Sequence, residues 1–138
     1  CDMVAMGITA IGKIGDNYSQ NVRTIDEYKT YLDRNEIPVF RGIELEDDDI
    51  LRRQIINELM CNNRLDITKI ERRWRIDFSH YFEASIKNLQ DMAEDGLLEI
   101  SKEAITITNS GRLLTRSICM QFDRYLQEKK GKRFSKVI

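Results

Sequence analysis

Apolar residues recur along this chain at two spacings, and the changes between them divide it. Asp2-Met3-Val4-Ala5-Met6-Gly7 is strand-like and runs into the glycine-bearing stretch Gly7-Ile8-Thr9-Ala10-Ile11-Gly12-Lys13-Ile14-Gly15-Asp16, which reads as a loop. Thr24-Ile25-Asp26-Glu27 has the form of a capping box, in which Thr24 accepts from an early helix N–H and Glu27 reaches back. Ile25, Tyr28 and Leu32 follow at helical spacing, and the pattern dies before Pro38. An extended run, Pro38-Val39-Phe40-Arg41-Gly42-Ile43, closes this part.

From Glu44 the spacing becomes helical. Asp47, Asp48 and Asp49 crowd a helix start, where negative charge suits the macrodipole, and Ile50, Leu51, Ile55 and Leu59 form a stripe that ends near Asn62-Asn63. A second helix opens after Asp66 as N-cap, with Ile67, Ile70 and Trp74 on one face. A third covers about 79–95, with Phe82, Ile86, Leu89 and Ala93 inward and Gly96 as its stop. Two alternating runs, 98–101 and 104–108, flank Lys102-Glu103 and read as a β-hairpin. A fourth helix starts near Gly111 and carries Leu114, Ile118, Phe122 and Tyr125 at spacings of three and four. Helix, helix, helix, hairpin, helix is a winged-helix order.

The expected fold class is therefore mainly α with a small β-hairpin: a winged-helix-like domain over 44–138, preceded over 1–43 by a β-α segment. A single β-α unit cannot cover both faces of its strand, because such units are stable only beside others in an α/β layer. Residues 1–43 are thus expected to belong to a larger α/β domain, and an opening at Cys1 inside a strand-like run reads as a cut from something longer.

Composition narrows the partners. The chain has 138 residues, room for a sizeable core, and 22 basic against 23 acidic residues give a net charge of -1, so no global field draws it to nucleic acid or an anionic membrane. No apolar run approaches the roughly 20 residues needed to span a bilayer and no signal peptide opens the sequence, so a soluble, cytoplasmic protein is expected. Cys1, Cys61 and Cys119 lie far apart and are odd in number, which argues against a disulfide framework, and with one histidine they make no ligand set for a metal or cluster. Cys61 and Cys119 fall in apolar helical patterns and read as buried, inert thiols.

Local motifs are weaker than they look. The glycine stretch comes within one residue of the phosphate-binding G-x-x-x-x-G-K-[ST], but Ile14 stands where a hydroxyl must ligate Mg²⁺, and Gly15-Asp16-Asn17 reads as turn rather than helix start. The third helix carries Glu83, Asp91, Glu94 and Asp95 against Lys87, the wrong sign for reading DNA. The other cations, Arg52, Arg53, Arg72, Arg73, Arg75, Arg112, Arg116, Arg124 and the tail Lys129, Lys130, Lys132, Arg133 and Lys136, read mostly as solvated faces and helix-end charges. Arg112 and Arg116, at i, i+4, can together hold a carboxylate. His80 has no acidic or cysteine partner nearby in sequence and makes a poor catalytic base.

Four stretches together carry a resemblance. Gly7 to Asn21 resembles the G-x-S-A-I-x-x-I-G-D-x-Y-x-Q-N segment of the oxygen-independent coproporphyrinogen III oxidases, and Arg41-Gly42-Ile43, Cys61-Asn62-Asn63-Arg64-Leu65-Asp66, and Gly111-Arg112-Leu113-Leu114 running on to Phe122-Asp123-Arg124-Tyr125-Leu126 agree with it. The ending Phe134-Ser135-Lys136-Val137-Ile138 also resembles that family's C-terminus.

The resemblance implies a radical S-adenosylmethionine enzyme of haem (porphyrin) biosynthesis. In that family a [4Fe–4S] iron-sulfur cluster cleaves S-adenosylmethionine, and the resulting radical oxidises two propionates of coproporphyrinogen III to the vinyl groups of protoporphyrinogen IX. It also implies that residues 1–43 are the last barrel segment and 44–138 a cover domain packed on the barrel of a monomer, and that Ile11 contacts S-adenosylmethionine. Asp16, Tyr18, Gln20, Asn21 and Arg41 become rim candidates, and Arg112 and Arg116 candidate propionate partners. The family's C-x-x-x-C-x-x-C cluster motif is absent, so this chain alone is expected neither to hold a cluster nor to turn over substrate. A haem-handling relative of similar architecture, and a winged-helix interaction or DNA-binding module, are the alternative readings.

Overall fold

Gly15, at φ +57°, turns the chain through a two-residue loop, the place where a tight hairpin calls for glycine. The structure, a computed structural model, describes residues 1–128. It forms a β-hairpin, β1 (Ile11–Ile14) and β2 (Asn17–Asn21), where the glycine content points to a loop. Gly12 sits inside β1 because a side chain there would press on the Ser19 hydroxyl (3.1 Å), the Met3 carbonyl (3.2 Å) and Ala5 (3.3 Å). Its role is close approach, not a bend. The expected first strand shrinks to one bridge, Met3 to Lys13, with both backbone bonds at 2.7 Å.

The helix α1 (Ile25–Asp33) starts as expected: Thr24 Oγ1 accepts from the Glu27 N–H (3.3 Å). Glu27 reaches back to the Thr24 hydroxyl (2.8 Å) rather than to its backbone, a variant of the capping box. The strand β3 (Val39–Glu44) then completes an antiparallel sheet in the order β1-β2-β3, with a bulge between Gln20 and Asn21.

The chain divides into two compact units, Cys1–Ile50 and Leu51–Ile138. Among the described residues of the first, Val22 is the one buried large hydrophobic side chain, and α1 buries none. A sheet and helix with so little core gain little stabilisation from apolar burial of their own.

The second unit has the core. α2 (Asp47–Asn62) contributes Leu51, Ile55 and Leu59, and α3 (Ile67–Trp74) contributes Ile67 and Ile70. Asp66 caps α3 by accepting from the Lys69 N–H at 3.0 Å, and that bond holds its carboxyl below the usual range. Between them lies β4 (Arg64–Asp66), unexpected from sequence because three residues with one apolar member show no alternation. It pairs with β6 (Ala104–Ile107), which pairs with β5 (Leu98–Ile100), so the expected hairpin is the other two-thirds of a sheet ordered β4-β6-β5.

The expected third helix is two: α4 (Phe78–Tyr81) and α5 (Glu83–Glu94). Asp77 starts the first by accepting from the Ser79 hydroxyl (2.6 Å) and the His80 N–H (2.9 Å), which lower its pKa, and Phe82 leaves helical geometry at φ −110° and ψ 26°. Gly96, at φ +73°, ends α5 as expected. The expected fourth helix is a relay of a 3₁₀ turn (Ser110–Leu114), α6 (Thr115–Cys119), a second 3₁₀ turn (Met120–Phe122) and α7 (Arg124–Glu128). The tighter turns rotate side chains off the α stripe, so Ile118 and Phe122 are fully buried as expected while Leu114 and Tyr125 are exposed. Phe78, Phe82 and Phe122 form the aromatic centre, with ring centroids 4.9 to 6.3 Å apart, and the Arg52 guanidinium lies over Phe82 at 5.1 Å. The basic tail and its ending 134–138 lie outside the described residues.

Cys61 is exposed, contrary to expectation. Two residues beyond Leu59 it has rotated about 200° around α2, away from the stripe. Cys119 is buried; its thiol donates to the Ile56 carbonyl at 3.8 Å, and burial pushes its pKa up to about 11. Iodoacetamide at pH 8 is expected to modify Cys1 and Cys61 in the folded chain and Cys119 only in denaturant, read by peptide mass spectrometry. Labelling of Cys119 at the rate of Cys61 without denaturant would contradict this packing.

Candidate functional site

Strand alternation and register put six side chains on one face of the first sheet. Ile11 pairs across with Gln20 and Gln20 with Arg41; two residues along, Lys13 pairs with Tyr18 and Tyr18 with Ile43. Ile11, Tyr18, Gln20, Arg41 and Ile43 line an open depression of about 380 Å³, together with Ser19 and Gly42. Ile11 is 55% exposed, and Ile43 on the same face is 47% exposed, so the face presents apolar surface to solvent.

The polar groups on this face are organised. Gln20 Nε2 donates to the Thr9 carbonyl at 3.2 Å, and Gln20 Oε1 accepts from Arg41 Nε at 2.9 Å. Thr9 is itself held in the left-handed region, φ +58°, with its N–H donating to the Val22 carbonyl at 2.8 Å. The face thus combines apolar contact, an aromatic ring and a positioned guanidinium, a set suited to binding a ligand that is part apolar and part anionic.

Four sequence candidates, Ile11, Tyr18, Gln20 and Arg41, are brought together here. Asp16 lies in the hairpin turn, where its carbonyl accepts from the Leu45 N–H at 2.8 Å. Asn21 is buried, and its amide donates to the carbonyls of Gly7 (2.9 Å) and Ala5 (3.4 Å), fastening the first residues to the sheet. Arg112 and Arg116 are in the other unit and do not share one helix face: Arg112 is in a 3₁₀ turn and Arg116 in α6, with Leu114 out of helical geometry between them at φ −108° and ψ 11°. His80 is exposed at the end of α4. Lys13 and Ile43 escaped sequence reasoning; alternation from Ile11 and Arg41 points to them once the segments are known to be strands. Among the described residues no group of three or more His, Cys, Asp or Glu is placed to hold a metal ion.

The fold is that of a helix-dominated chain with two small sheets, the first of which carries the open depression lined by Ile11, Tyr18, Gln20 and Arg41. The family model described as the HemN C-terminal domain matches residues 45–114, just over half of the chain. The chain is 46% identical over 138 residues to the oxygen-independent coproporphyrinogen III oxidase of Pseudomonas aeruginosa, covering 100% of this chain and 30% of that protein. It is 43% identical to the Escherichia coli K12 protein of the same name, with 99% and 30% covered. A solved structure described as "Coproporphyrinogen III oxidase (HemN) from Escherichia coli is a Radical SAM enzyme" matches with a TM-score of 0.85 and 43% identity, over 90% of this chain and 29% of that one. The chain belongs to the HemN C-terminal domain family. It spans about 30% of the length of these curated relatives.

Proposed function

We propose that this chain is the C-terminal part of an oxygen-independent coproporphyrinogen III oxidase, a radical S-adenosylmethionine enzyme that oxidatively decarboxylates coproporphyrinogen III to protoporphyrinogen IX in haem biosynthesis. The observation that carries this reading is identity of 46% sustained over the full 138 residues, the sheet face included. Residues 1–43 are then the last segment of the barrel, and 44–138 a winged-helix-like cover domain. The near-absence of a core in the first unit supports the former, since its apolar faces need a larger body. The order α2, β4, α3, α4 with α5, β5, β6 and the sheet order β4-β6-β5 support the latter.

The two cofactors of this reading fit the chain differently. A [4Fe–4S] cluster does not fit the described residues: Cys1 and Cys61 stand singly at the surface, and Cys119 has its pKa raised to about 11, the reverse of what a thiolate ligand needs. The cluster belongs upstream, and the chain alone does not turn over substrate. S-adenosylmethionine fits the sheet face, where Ile11 can flank an adenine without a hydrogen bond and Tyr18, Gln20 and Arg41 supply the rim. When bound, it supplies the radical chemistry; the chain's own residues bind, orient and exclude water.

Nucleic acid has no part in this reading, because Glu83, Asp91, Glu94 and Asp95 surround Lys87 along and just beyond α5. No described helix is long and apolar enough to cross a membrane, and the three cysteines are all free, which suits the reducing cytoplasm. The test is anaerobic turnover of coproporphyrinogen III by the full-length protein with S-adenosylmethionine and a reductant, with protoporphyrinogen IX as the expected product. A full-length protein that binds haem and leaves coproporphyrinogen III unchanged would refute the reading in favour of a haem-handling relative.

A further inference from the structure

We infer that Arg41, held by Gln20, is a carboxylate clamp on the sheet face beside Ile11. The inference deepens the proposed function and rests on it. Gln20 is fixed at both ends, to the Thr9 carbonyl (3.2 Å) and to Arg41 Nε (2.9 Å), so it sets the direction of the guanidinium rather than trailing beside it. Binding through Nε leaves the Nη1 and Nη2 edge, whose paired N–H groups match the two oxygens of a carboxylate. Gln20 is the partner Arg41 has among the described residues, and Gln20 is neutral.

That neutrality is the telling choice. A pair serving only to tie β2 to β3 would gain from a carboxylate at position 20, which accepts from Nε equally well and adds charge attraction. An amide orients the arginine and leaves its positive charge unspent. The charge then faces a depression of about 380 Å³ whose other walls include Ile11, Tyr18 and Ile43, so the ligand it takes is an anion attached to an apolar or aromatic body. In the proposed reaction, two carboxylates meet this description: that of the methionine part of S-adenosylmethionine and a propionate of the porphyrinogen. Arg41 contacts the ligand; Gln20 is a positioning residue.

The experiment uses the full-length protein and equilibrium binding without turnover. One pair of probes is S-adenosylmethionine and its decarboxylated analogue; the other is coproporphyrin III and its tetramethyl ester. Wild type is expected to prefer the free acid by about tenfold or more in at least one pair, the scale of a charge-assisted hydrogen bond lost. Arg41→Met and Gln20→Glu are both expected to bring that preference close to one in the same pair, which identifies whose carboxylate is held. A tie between strands predicts the opposite for Gln20→Glu, unchanged or tighter discrimination. Retention of the preference in Gln20→Glu overturns the clamp even if Arg41→Met fails to fold. A wild-type protein that binds neither S-adenosylmethionine nor coproporphyrin III removes the proposed function, and the clamp with it.

Discussion

Gly111→Ala is expected to cost about 3 kcal/mol or more, at or above the top of the usual range for an overpacked core position. Gly111 has no positive φ, so no backbone strain is at stake. The obstacle is steric: a methyl group there would overlap the Leu97 carbonyl oxygen and crowd the Leu97 carbonyl carbon at 2.8 Å and Ile107 Cγ2 at 3.1 Å. The carbonyl is held in place by the Thr108 N–H, which it accepts at 3.1 Å, while the Thr108 hydroxyl lies 3.1 Å from it and 2.8 Å from the neighbouring Gly96 carbonyl. Thr108 in turn accepts the Gly111 N–H, at 3.1 Å through its carbonyl and 3.2 Å through its hydroxyl. Moving any one member breaks bonds to the others. Gly96→Ala is the control: φ is +73° and nothing lies within 4 Å of the added carbon, so only the left-handed conformation is penalised, by about 1 kcal/mol. Urea denaturation of the three proteins should rank wild type, Gly96→Ala, then Gly111→Ala well below. A Gly111→Ala midpoint at or above that of Gly96→Ala would mean that the Leu97 segment yields.

Where a single residue determines a local bond, it was legible in the sequence. The Thr24 and Asp66 caps and the Gly96 stop are where local chemistry puts them, and the Leu51, Ile55, Leu59 stripe needs only helical period. Features that depend on a distant partner were not legible. The strand β4 exists because β6 lies beside it, and the break at Phe82 goes with a ring placed between Phe78 and Phe122. Gly12 looked like a loop residue because its reason for being glycine, Met3 and Ala5, lies seven to nine positions away. The site shows the same division. Ile11, Tyr18, Gln20 and Arg41 could be singled out by resemblance, but only the register Ile11, Gln20, Arg41 turns them into neighbours, and the same register sends Asn21 elsewhere. Arg112 and Arg116 stand four apart, a helical spacing, but the 3₁₀ turn that holds Arg112 ends at Leu114 before α6 begins, a change of geometry that the spacing does not reveal.

Ile11→Asp in the full-length protein is expected to weaken S-adenosylmethionine binding by about 10- to 100-fold, the penalty for a charge covered by the adenine ring that Ile11 flanks in the proposed function. The side chain is on the face that lines the depression and is 55% exposed in this chain, so aspartate there meets water until a ligand covers it. Folding of the chain should therefore change little, and the loss should appear in binding. The absorption spectrum of the reconstituted cluster should be intact, because its ligands are not on this chain's described residues. Ile11→Val, which removes one methylene from the same contact, should lose about tenfold at most. Equilibrium dialysis with S-adenosylmethionine separates these outcomes. Unchanged affinity in Ile11→Asp would take this residue out of the site, and a collapse in both variants would point to shape rather than charge as what the position supplies.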